Sequence, residues 1–209
     1  MANQPTTHPL FGGAITTSLP TGYLDASTMR DIPDTQEVFL DPNSNTNIII
    51  SLLERVTTIT SNNSNNSDDH SALQTHFQDM YADETDKSGN RDTANVLGVR
   101  NLPIPPGTSN GGTVTAYILT AWMATADAAR QEQRERGREE VLGTGVVMGL
   151  VRLENVKTDV LVCVNVPRAA ADGELGETAL GDMLGPAVGM VEEAVARMDV
   201  KDWGLFGES

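Results

Sequence analysis

The sequence predicts an α+β domain, an α/β/α sandwich whose antiparallel sheet of about six strands is flanked by helices on both faces. Three observations carry this. Residues 113–124, 141–153 and 159–166 are rich in β-branched and other apolar side chains, the composition that suits strands. The last two runs are joined by a short connection around Asn155, which favours antiparallel neighbours. The last run carries Val160, Val162, Val164 and Val166 on one side and Leu161 and Cys163 on the other, so both faces of the sheet are covered.

Residues 1–9 read as a disordered lead, and a single domain spans 10–209. A first strand occupies 10–18, opening at Gly12-Gly13 and continuing through Ile15, Thr16 and Thr17. Pro20 and Gly22 mark a turn, and Asp25 or Ser27 caps a short helical turn ending near Arg30. Pro33-Asp34 makes a second break before an extended segment from Glu37 to Leu40.

Ile49, Leu52, Leu53 and Val56 fall at helical spacing, which predicts a helix over 47–57 with Ser51, Glu54 and Arg55 outward. The polar run SNNSNNSDD at 61–69 cannot bury apolar area and reads as a flexible loop. Leu73, Phe77, Met80 and Tyr81 predict a second helix over 69–82.

A loop near 85–94, a strand at 96–102 and an exposed Pro- and Gly-rich connection at 103–112 follow. Residues 130–140 are charged and solvated, and 168–177 is a further loop. Finally, Leu180, Leu184, Val188, Val191, Val195 and Met198 form one stripe of a long helix ending near Arg197. Gly181, Gly185 and Gly189 line a neighbouring stripe, read as close packing on the sheet, and Pro186 bends or delays the helix start.

Fourteen Lys and Arg against 29 Asp and Glu leave a formal charge of −15. That repels nucleic acid and anionic membrane over most of the surface and favours a basic protein partner. The lone Cys163 has no internal disulfide partner, the N-terminus lacks a basic start followed by an apolar core, and no run approaches a bilayer span. A soluble, intracellular, monomeric protein is the expectation.

Tests for catalytic signatures are negative: the chain has no Walker loop, GxSxG elbow, HExxH or paired CxxC. His70 and His76, six apart, diverge on a helix and make a poor metal pair. Neither cofactor nor metal is expected. Asp25, Asp31, Asp34 and Glu37 place four carboxylates within thirteen residues, and with Arg30 among them they read as a charged ridge that meets a complementary surface. The rival reading is a small carboxylate- or metal-dependent hydrolase using the same groups.

The order LFGGAIT at 10–16, then Pro20, Gly22, Asp25-Ala26-Ser27, Arg30 and PDTQEV at 33–38 resembles the Mog family of Ran guanine-nucleotide release factors. Leu52-Leu53-Glu54, His76-Phe77 with Asp79, Arg152-Leu153, Thr158-Asp159-Val160 and Asn165-Val166-Pro167 extend the resemblance over most of the chain. It implies a fold similar to the photosystem protein PsbP, no catalytic step, and the Ran GTPase as partner, alone or with a further Ran-binding protein. It also implies a role in nuclear import and a location in nucleus and cytoplasm. The contact residues it implies are Asp25, Arg30, Asp34, Gln36, Glu37, Ser51 and Glu54. Ser51 departs from the pattern, since similar proteins usually carry an acid there. A scaffold or trafficking adaptor on the same fold is the other binding role.

Overall fold

The computed structural model describes residues 5–57, 65–81, 93–173 and 177–207. Its frame is a seven-stranded antiparallel sheet built from β3 (Leu24–Asp25), β4 (Gln36–Leu40), β5 (Asn47–Glu54), β6 (Thr93–Asn101), β7 (Val114–Ala124), β8 (Val141–Leu153) and β9 (Thr158–Ala169). Their order across the sheet is β3-β4-β5-β9-β8-β7-β6. The β8–β9 hairpin at its centre turns through Glu154–Val156 and a left-handed Lys157 at φ +50°. A smaller sheet of β1 (Pro5–Leu10), β2 (Ile15–Pro20) and β10 (Asp199–Val200) lies beside it, with β2 in the middle.

Helices cover both faces, as the apolar pattern predicts. On one face α1 (Asn65–Tyr81) lays Leu73 and Phe77 against Tyr117, Leu119, Met148 and Leu161. On the other, α3 (Glu177–Ala196) packs Leu184, Val191 and Val195 over Ile118, Val147, Val151 and Val162, joined there by Leu10, Ile15 and Leu19 of the small sheet. Thr17 Oγ1 donates 2.6 Å to the Ala194 carbonyl, tying β2 to the last turn of α3. A short exposed helix, α2 (Asp127–Glu135), occupies the charged stretch before β8.

Several expectations are corrected. Residues 47–54 form a strand, not a helix: β5 pairs with both β4 and β9. Being covered on both faces, it is a nearly continuous apolar run whose spacing also satisfies a helical template. Ser51 accordingly lies inside the protein, 1% exposed, rather than on an outward face. The lead is structured from residue 5, because β1 pairs along its whole length with β2, from Pro5 opposite Pro20 to Leu10 opposite Ile15. Its two prolines are tolerated on a sheet edge.

Helix α1 starts at Asn65, inside the segment read as loop; residues 61–64 lie outside the described residues. The 168–177 loop is also shorter than expected, since β9 runs to Ala169 and a tight turn fills Ala170–Asp172. The expected loop near 85–94 falls mostly outside the described residues, although β6 begins at Thr93. The connection at 103–112 is only partly exposed, for Pro105 and Thr108 within it are buried.

The glycine stripe of α3 faces outward. A Cβ on Gly181, Gly185 or Gly189 would meet nothing within 4 Å. The close approach is made instead by glycines of β8, where a Cβ on Gly145 would sit 2.4 Å from Leu184 and one on Gly149 2.6 Å from Val191. Bare backbone on the sheet lets the helix stripe sink onto it. Pro186 stays inside a continuous helix.

Candidate partner-binding edge

The candidate contact residues gather along one edge of the large sheet, built by β3, β4, β5 and the segment 26–35 that returns from β3 to β4. Asp25 closes β3 opposite Phe39 and caps the turn Ala26–Thr28. Its Oδ1 accepts from Ser27 N at 2.8 Å, and its carbonyl accepts from Thr28 Oγ1 at 2.8 Å. Arg30, whose amide donates to Ala26 O at 3.1 Å, and Asp34 are exposed. Thr35 O accepts from Leu52 N at 2.9 Å, which locks the loop end to β5.

Gln36 and Glu37 point to opposite faces, as neighbours on a strand must. Gln36 is half-buried opposite Ser51. Glu37 turns to the face shared with Phe39, and its Oε1 accepts from Phe11 N at 2.6 Å. That carboxylate therefore holds the turn in which Phe11, Gly12 and Gly13 adopt φ of +50°, +66° and +93°. Ser51 Oγ is buried with no hydrogen-bond partner. An acid at this position would carry its charge into the apolar layer beside Leu161, whereas the small neutral serine is accommodated there.

Glu54 is exposed at the end of β5. It lines a groove of about 530 Å³ together with the apolar residues Leu52, Leu53, Val156, Leu205 and Phe206 and the cations Arg55 and Lys157. From Ile48, which is level with Asp25 through Phe39, to Glu54 is six residues along β5, or about 20 Å at the usual strand rise. The expected residues thus form a strip rather than one cluster. A partner burying about 800 Å² covers a disc about 30 Å across, enough to span the strip.

Asp41 extends the acidic edge beyond β4. The Asn43 amide and the Ser44 hydroxyl donate to its carboxylate at 2.9 Å and 2.8 Å, and these bonds hold it below the usual carboxylate range.

Sequence reasoning missed a buried charged network beneath this edge. Arg152, 1% exposed, lies opposite Asp159 in the β8–β9 pair. Its Nε donates to Asp159 Oδ1 at 3.0 Å, its Nη1 to Asp69 Oδ1 at 2.6 Å, and its Nη2 to the Val56 carbonyl. Asp159 Oδ2 accepts from Val56 N at 3.1 Å and lies 2.8 Å from His76 Nε2. Tyr117 OH donates to Asp69 at 2.8 Å, and burial together with that carboxylate raises the phenol. The network joins α1 to the hairpin and clamps the backbone two residues past Glu54.

A signal for the network existed: Arg152 and Asp159 interrupt two apolar runs at equal distances from one turn. His76 takes part in it, whereas His70 lies 3.3 Å from Asn101 Oδ1 and contacts the Tyr117 ring edge-on. The two histidines do not converge. Among the described residues, no group of three or more His, Cys, Asp or Glu side chains is arranged to hold a metal.

Both the sequence and the fold have known relatives. The nuclear import protein MOG1 of Saccharomyces cerevisiae is 29% identical over 210 residues, covering 94% of this chain and 83% of that protein. The human Ran guanine nucleotide release factor is 26% identical over 202 residues, covering 95% of each. The crystal structure of the S. cerevisiae Ran-binding protein Mog1p superposes with a TM-score of 0.66 at 24% identity, over 99% of this chain and 100% of that one. Cyanobacterial PsbP from Synechocystis follows at 0.51 and 11% identity, over 96% and 94%, so the sandwich and its likeness to PsbP stand as expected. The family model described as Ran-interacting Mog1 protein matches residues 8–167, from the first strand through the central hairpin, and the chain belongs to the Mog1 family.

Proposed function

We propose that the chain binds the small GTPase Ran through the β3–β5 edge and promotes release of its guanine nucleotide, in support of nuclear protein import. The observation that carries this reading is the acidic strip from Asp25 to Glu54, ending at a groove of mixed apolar and charged lining, in a chain of the Mog1 family. An acidic strip suits a basic protein surface, and the apolar residues that line the groove supply area that charge alone does not.

Release needs no bond to be made or broken. If the chain binds nucleotide-free Ran about a thousandfold more tightly than loaded Ran, linkage lowers nucleotide affinity by the same factor, about 4 kcal/mol. Such an activity belongs to a binding protein rather than an enzyme. The role implies work in nucleus and cytoplasm, and a net charge of −15 opposes self-association.

The test is release of a fluorescent guanine nucleotide from Ran as this protein is added. The expected result is acceleration that saturates with concentration. Unchanged release, with no complex formed with nucleotide-free Ran, would overturn the reading.

A further inference from the structure

Among the described residues five large hydrophobic side chains remain exposed: Leu24 at 49%, Met29 at 58%, and Val96, Leu97 and Ile104. Val96 and Leu97 belong to β6, the far edge of the sheet. Leu24 and Met29 fall six residues apart, counting both ends, within the candidate binding edge itself. The backbone between them is held from beneath: Ala26 is buried, Asp25 caps Ser27, and the Met29 amide donates to Ala26 O at 2.9 Å. Both side chains are therefore displayed on an ordered turn. Asp25, Asp31 and Asp34 are exposed in the same segment, with Arg30 as its one cation.

Apolar anchors within a charged rim are the usual anatomy of a binding hot spot. We propose that Leu24 and Met29 are the apolar anchors of this edge, and that they seat in an apolar recess of a partner surface ringed by Lys and Arg. The inference rests on the Ran-binding reading, with the GTPase as occupant, and deepens it. The carboxylates supply steering and register, which salt screens, while the two side chains supply area that salt leaves intact.

The experiment is calorimetric titration of the full chain into nucleotide-free Ran at low and high salt. Wild type is compared with Leu24→Thr, Met29→Gln and the pair Asp31→Asn/Asp34→Asn. Each apolar variant is expected to weaken binding about tenfold, or about 1.4 kcal/mol, by the same factor at both salt concentrations. The charge variant is expected to lose affinity chiefly at low salt. Met29→Gln keeps the length and stem of an exposed side chain, so its melting temperature should match wild type. Wild-type affinity in Met29→Gln and Leu24→Thr, or losses that vanish at high salt, would overturn the anchors and leave Ran binding standing. Failure of the wild-type chain to bind Ran would overturn both.

Discussion

Replacing Arg152 by Met is expected to be among the most damaging single changes available to this protein. The substitution keeps an unbranched apolar stem but removes the guanidinium that meets Asp159, Asp69 and the Val56 carbonyl. Two carboxylates with side chains 0% and 12% exposed then lose their shared cation, leaving His76 beside Asp159 and Tyr117 beside Asp69. Breaking a buried pair from one side costs about 3–5 kcal/mol, and the orphaned carbonyl adds about 1 kcal/mol. The sum, about 4–6 kcal/mol, is a large part of the roughly 5–15 kcal/mol that stabilises an ordinary domain.

Urea unfolding followed by tryptophan fluorescence measures this directly. At a slope of about 2 kcal/mol/M the midpoint should fall by about 2 M or more. Arg152→Lys keeps the charge but cannot present a planar fork to three acceptors, so its loss should be intermediate. Arg152→Met/Asp159→Asn should cost less than the sum of the single changes, because removing the second charge relieves the first. A loss below about 1 kcal/mol for Arg152→Met, or additive costs in the double variant, would refute the claim that the network is a coupled buried unit.

Other outcomes follow from the same geometry. Gly149→Ala should destabilise the fold by about 1–3 kcal/mol, since its Cβ would sit 2.6 Å from Val191. Gly185→Ala, with open space around it, should stabilise α3 by about 0.5–1 kcal/mol, and paired thermal melts compare the two. Glu37→Ala should lower stability by about 1–2 kcal/mol in the same melts, through loss of its bond to Phe11 N. Burial pushes the Cys163 thiol up to about 12 and the Tyr81 phenol well above its ordinary value. The folded state thus keeps protons that the unfolded chain releases. Stability is intact below the unfolded values and falls as pH rises, from about 9 for the thiol and about 10 for the phenol, by about 1.4 kcal/mol per pH unit for each group. Cys163→Ala should flatten that decline between pH 9 and 10 in urea titrations. Glu54→Lys should weaken Ran binding by about 2–5 kcal/mol if the groove is covered in the complex, and Asp34→Lys less, as calorimetry would show.

The amino-acid order alone was enough for the sandwich, the central hairpin, a capped turn at Asp25 or Ser27, the apolar stripe of α3 and the family, because these depend on periodicity and turn chemistry within a few residues. The proposed edge was legible as a charged segment for the same reason, its carboxylates and breaks lying close together between residues 25 and 37. Only the tertiary structure decided which side chains those elements bury. Residues 47–54 are a strand because β4 and β9 flank them, and Ser51 is inside for that reason. Polar residues 65–69 join a helix whose Asp69 finds Arg152 eighty-three residues away. Glu37 reaches back to Phe11, and the glycines that admit α3 lie on the sheet rather than on the helix. Each of these outcomes turns on a partner distant in sequence, whose approach removes water from a face or a charge. No local pattern can encode that event.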